Sequence, residues 1–109
     1  MVVKLYVDDV RDAPSPEWSV VRTSSHAITF IQTFGLPDVI SFDHDLGGDD
    51  TSMRIVDWLI EEILDYRISV PEVFIFYVHS ANPVGAENLE HKFGNFLNFW
   101  FDNGFDRKP

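Results

Sequence analysis

The chain has 109 residues, 45% of them hydrophobic and 15% aromatic, which suits one packed domain over residues 1–109 and excludes a disordered chain. Eighteen Asp and Glu against eight Lys and Arg give a net charge of −10, which excludes the cationic face that duplex nucleic acid requires. The absence of Cys excludes disulfides and thiolate metal sites. No apolar run reaches 18 residues and no secretory pattern opens the chain, so no membrane association and a cytoplasmic location are expected.

Val2 to Val7, rich in β-branched residues, predicts a first strand that ends in Asp8-Asp9. Pro14 and Pro16 make residues 10–17 a loop, and Trp18 to Arg22 predicts a second strand. Thr23 to Ser25 offer N-cap hydroxyls to a helix carrying Ala27, Ile28, Ile31 and Phe34 up to Gly35. Val39 to Phe42 reads as a buried central strand that ends in Asp43-His44-Asp45. Asp50 or Thr51 then caps a helix with Met53, Val56, Leu59, Ile60, Ile63 and Leu64 on one face. Val73 to Val78 is a nearly continuous apolar run, expected to be a parallel strand covered on both faces and ending in His79-Ser80. A last helix presents Leu89, Phe93, Phe96, Leu97, Trp100 and Phe101 and stops near Asn103-Gly104.

Strands alternating with helices predict a small open α/β sheet of about four mostly parallel strands with helices on both faces. Ligands of such sheets bind outside the carboxyl ends of the strands. Three strand ends here carry ionisable groups, which are expensive to bury and so are delivered to an edge or cleft. Asp8, Asp9 and Asp43 or Asp45 offer two or three hard oxygens to a divalent cation, Mg²⁺ or Mn²⁺. Which of Asp43 and Asp45 points inward is open, because both sit on one alternation phase. His44 and His79 stand at strand ends where an imidazole can exchange protons near neutral pH. Ser80 and Asn82 precede a helix start and suit a phosphate cradle, with Arg11 as a cationic partner. Arg22, at the end of the second strand, could pair with a phosphate or with the excess carboxylate. Asp49 and Asp50 read as turn or cap residues, and His26 and His91 as ordinary helix residues.

The blocks Asp8-Asp9-x-Arg11, Ser41-Phe42-Asp43-His44-Asp45-Leu46-Gly47 and His79-Ser80-x-Asn82-Pro83-x-Gly85 resemble receiver-like domains of the cyclic-phosphate-processing branch. The resemblance implies a compact flavodoxin-like fold whose ancestral phosphorylation site serves cyclic phosphate chemistry. Its ligand would be a small cyclic nucleotide or related phosphate, with His79, His44 and Asp43 catalytic. Ser80, Asn82 and Arg11 would bind the phosphate, and Asp8, Asp9 and Asp45 the metal. Two features depart from an ordinary receiver: no helix fits between Val7 and Trp18, and Lys108-Pro109 follows a helix instead of ending a fifth strand. Two other functions stay open: non-catalytic sequestration of a cyclic nucleotide, and a degenerate receiver acting as a protein-interaction module.

Overall fold

A computed structural model describes residues 2–104 of the chain. Four strands, β1 (Lys4–Val7), β2 (Trp18–Val21), β3 (Val39–Phe42) and β4 (Ile75–Val78), form one parallel sheet in the order β2-β1-β3-β4. Three helices, α1 (Ser24–Phe34), α2 (Met53–Leu64) and α3 (Pro83–Asp102), complete the described elements. This is the expected small receiver-like α/β fold.

The strands are shorter than their apolar runs. Asp38 and Asp43 flank only four residues of β3, so the ladder on either side has four rows. Val2, Val3 and Val73 fall outside it and are exposed.

Handedness fixes where the helices go. The steps from β2 to β3 and from β3 to β4 run the same way across the sheet, so right-handed crossovers put α1 and α2 on one face. The step from β1 to β2 runs the other way and carries the Pro14/Pro16 loop over the opposite face. Leu5, Val7, Ile40 and Phe42 therefore share one cluster with Ala27 and Ile31 of α1, Leu59 and Ile63 of α2, and Leu89 and Phe93 of α3. The Phe93 ring meets Phe42 and Phe76 edge-on or tilted.

The expectation of helices on both faces is thus corrected: all three described helices lie on one. The reason is local, since a loop with two prolines replaces a helix after β1. β4 is correspondingly a one-sided edge strand, with Tyr77 55% and Ile75 44% exposed on the open face.

Cap chemistry follows the sequence in part. Thr23 caps α1 through the His26 N–H, and Asn82 caps α3 through the Gly85 N–H with Pro83 next. The cap of α2 is Ser52, not Asp50 or Thr51, and its side chain makes no cap hydrogen bond. The Ser52 hydroxyl instead donates to the Asp43 carbonyl at 2.5 Å. Asp50 accepts from the Ser24 N–H and hydroxyl, tying the start of α1 to the loop before α2. Lys108-Pro109 lies outside the described residues. No helix among the described residues is long and apolar enough to cross a membrane.

Candidate functional site

The register brings the polar strand ends into one row. Val21, Val7, Phe42 and Val78 are aligned across the sheet, so Arg22, Asp8, Asp43 and His79 form the next row. Backbone hydrogen bonds continue through that row, from Asp8 N–H to Val21 O, Asp43 N–H to Val7 O and His79 N–H to Phe42 O. Strand alternation places Tyr6, Ser41 and Tyr77 two residues earlier on the same, helix-free face.

Asp8 is fully buried, and protein groups surround its carboxylate. Oδ1 accepts from the Val10 N–H at 3.0 Å and the Arg11 N–H at 2.8 Å. Oδ2 lies 3.0 Å from His79 Nε2. Burial pushes the Asp8 carboxyl up, but the Arg11 and Val10 amides and the His79 imidazole outweigh it, and the group stays below the usual carboxylate range.

A carboxylate at Oδ2 makes Nε2 the donor, and Nδ1 then faces Ser41 Oγ at 2.6 Å. The His79 ring stacks on Tyr6 at a centroid distance of 4.1 Å with the planes 7° apart. Both ring nitrogens of His79 are therefore engaged. Arg22 donates to the Asp8 and Arg11 carbonyls, and Arg11 donates to the His79 carbonyl, closing the loop over the row.

Asp43 has a different setting. Burial, then the neighbouring Asp8 charge, push its carboxyl up, only partly offset by a hydrogen bond from the Ser80 hydroxyl. One oxygen each from Asp8, Asp9 and Asp43 lies within 4.8 Å of the others. Asp43 is the inward member of the Asp43-His44-Asp45 triplet. Asp45 has a side chain 60% exposed, held by His44 Nδ1 at 2.9 Å and Asn82 Nδ2 at 3.2 Å. It is not one of the three converging carboxylates.

An open groove of about 510 Å³ lies over Asp9, Asp43, Asp45, Gly47, Ser80 and Asn82. Gly47 has φ 91°, and a Cβ there would stand 3.4 Å from Asp9 Oδ2, so glycine keeps this wall low. Neither His44 nor His79 lines the groove. The His44 ring lies against the Gly85 backbone, where an added Cβ would come within 2.6 Å of it. Asn82 uses both ends of its amide, accepting from Gly85 N–H and donating to Asp45. Ser80 Oγ accepts from the Asn82 N–H.

The donor set fits a small hard cation. Three carboxylates converge, and the Asp43 carboxyl stays raised even though His79 and Arg11 lie near enough to lower it. Asp9 and Asp43 offer the freer oxygens, since Asp8 already serves two amides and an imidazole.

Sequence reasoning passed over Tyr6 and gave Ser41 no role of its own. A period-2 reading back from each terminal acid or base would have found both, because Tyr6-x-Asp8 and Ser41-x-Asp43 share a face with His79. Arg22 spends its guanidinium on backbone carbonyls and on the exposed Asp12, at 3.6 Å, so it braces the loop after β1.

Parallel strands that deliver carboxylates from β1 and β3 and a hydroxyl after β4 to one groove define a receiver-like α/β domain. The family model for the cyclic-phosphate processing receiver domain matches residues 3–95, and the chain belongs to that family. No curated protein and no solved structure gave a match.

Proposed function

We propose that the groove hydrolyses a small cyclic phosphate ester, with a divalent cation held by Asp43 and Asp9 and the fixed charge of the buried Asp8 close behind them. The observation that carries this reading is geometric: oxygens of Asp8, Asp9 and Asp43 lie within 4.8 Å of one another at a groove lined by Asp9, Asp43 and Ser80. When bound, the ion would neutralise phosphate charge and polarise the phosphorus centre.

The chain's own residues do the rest. Asp43 takes the proton of the attacking water on the carboxylate oxygen that does not hold the ion. Ser80 orients Asp43 through its hydroxyl. Water adds to phosphorus, the ring P–O bond breaks, and the released alkoxide takes a proton from solvent at the open mouth. Arg11, exposed and near enough to Asp43 to act on its carboxyl, offers the phosphate a cation. His79 acts in this reading as a positioning group, because proton exchange with substrate would require it to leave both Asp8 and Ser41.

The test is ³¹P NMR of cyclic phosphate substrates incubated with the protein and Mg²⁺ or Mn²⁺. Ring opening should appear as a new monoester resonance, and Asp43→Asn should slow it by roughly 10²-fold or more. Tight binding without any new resonance would turn the reading to sequestration. Calorimetry should show divalent binding that Asp9→Asn plus Asp43→Asn removes.

A further inference from the structure

The groove's lining is polar and small: three carboxylates, two glycines, the Ser80 hydroxyl, Ala81 and the Asn82 amide. Among the described residues, no aromatic side chain lines it. Tyr6 is turned to the helix-free face of the sheet, 7% exposed and stacked on His79. The His44 ring is packed against the Gly85 backbone. A nucleobase is ordinarily held by stacking on such rings and by hydrogen bonds to its edge from groups buried in a fitted pocket. Stacking of one base changes affinity by roughly 5- to 150-fold.

The groove's side-chain groups are also committed. Asn82, the only amide, already caps α3 and holds Asp45. Ser80 serves Asp43 and the Asn82 N–H. What remains for a ligand is carboxylate oxygen, the second Asn82 Nδ2 hydrogen and the backbone of the Gly47-Gly48 turn, in which both residues have positive φ. Those groups suit an ion, a phosphate bound through it, and sugar hydroxyls. In an open groove these groups meet a base edge in competition with water, and no fitted pocket among the described residues surrounds a base to select one over another.

Building on the proposed function, we infer that the site takes the cyclic phosphate and its sugar and is indifferent to the base, which projects into solvent. The substrate class is therefore cyclic ribose phosphates at large, including base-free ones.

The experiment uses the full chain with Mg²⁺ or Mn²⁺. The panel is the 2′,3′- and 3′,5′-cyclic phosphates of adenosine, guanosine, cytidine and uridine, with the matching 1-O-methyl ribosides that lack a base. For the ring type that reacts fastest, kcat/KM should vary by less than about thirtyfold across the bases and the base-free riboside. A larger spread, or loss of the riboside alone, would overturn base indifference and leave cyclic phosphate hydrolysis standing. If the panel binds without turnover, the same limit applies to Kd from calorimetry. If nothing reacts or binds, the proposed function fails first and this inference with it. Asp43→Asn run in parallel must abolish the turnover, which places it in this groove.

Discussion

Asp43→Asn is the most informative single change, because it should raise stability and, under the proposed function, remove turnover. Asp43 is 9% exposed, and one of its oxygens lies within 4.8 Å of an oxygen of the fully buried Asp8. Two unit charges at that distance repel by about 3.5 kcal/mol at an effective dielectric constant of 20. His79 and Arg11 offset part of this, leaving on the order of 1–2 kcal/mol. Asparagine keeps the oxygen that Ser80 donates to and removes the charge.

In metal-free buffer at pH 7, the variant should melt higher by about 4 °C or more. The sign in pH comes from the raised carboxyl. Wild-type Asp43 has no penalty below its ordinary value of 3.8 and acquires it as pH rises through the higher folded value. The variant's advantage is therefore largest near neutrality and fades toward pH 4. Adding Mg²⁺ should stabilise the wild type by mass action and shift the variant less. Thermal melts monitored by circular dichroism, with and without the ion, read all three effects. A lower melting temperature for the variant at pH 7 without metal would show that the fold stabilises the charged carboxylate, and the reasoning would be refuted.

His79→Ala strips a partner from the fully buried Asp8 and from Ser41, so it should cost about 3–5 kcal/mol in urea unfolding, and His79→Gln less; an unchanged midpoint would mean the His79–Asp8 contact carries no stability. Asp8 and Asp50 both sit below the usual carboxylate range although burial alone would raise them. Their contribution is present above the ordinary 3.8 and is lost as pH falls through the lower folded values, so Asp8→Asn should flatten the acid limb of the stability profile. Gly85→Ala drives a Cβ to within 2.6 Å of the His44 ring and should cost about 1–3 kcal/mol by overpacking, visible as a lower melting temperature. A higher one would mean that His44 yields freely.

The sequence exposed most of the fold because local signals and tertiary context agree in it. Thr23, Asn82-Pro83 and Gly35 mark helix ends that the structure keeps. The apolar run at Val73 to Val78 misled because its continuity reads as two-sided burial, whereas Tyr77 and Ile75 face solvent. Whether a helix covers a sheet face depends on strand order and on the segment after β1, and neither shows as periodicity in β4. At the site, residue types at strand ends were legible one strand at a time. The partnership of His79 with Asp8 was not, because it crosses β3 and depends on a register set by separate ladders on either side of that strand.

The loop after β1 explains why the two central carboxylates diverge. With Pro14 and Pro16 excluding a helix, the chain turns directly after Asp8, and the Val10 and Arg11 N–H groups fold back onto Oδ1. Among the described residues the same absence leaves that sheet face without a helix, and the His79 ring lies over Ser41 and against Tyr6 while reaching Oδ2. Asp8 thereby receives donors on both oxygens and stays ionised. Asp43, one strand over, has Ser80 beside it and the Asp8 charge against it, and its carboxyl rises. Neighbouring carboxylates with separated proton affinities are how a site divides fixed charge from proton transfer. Under the proposed function, this division rests on the loop and on the sheet face that no described helix covers, both consequences of the segment after β1.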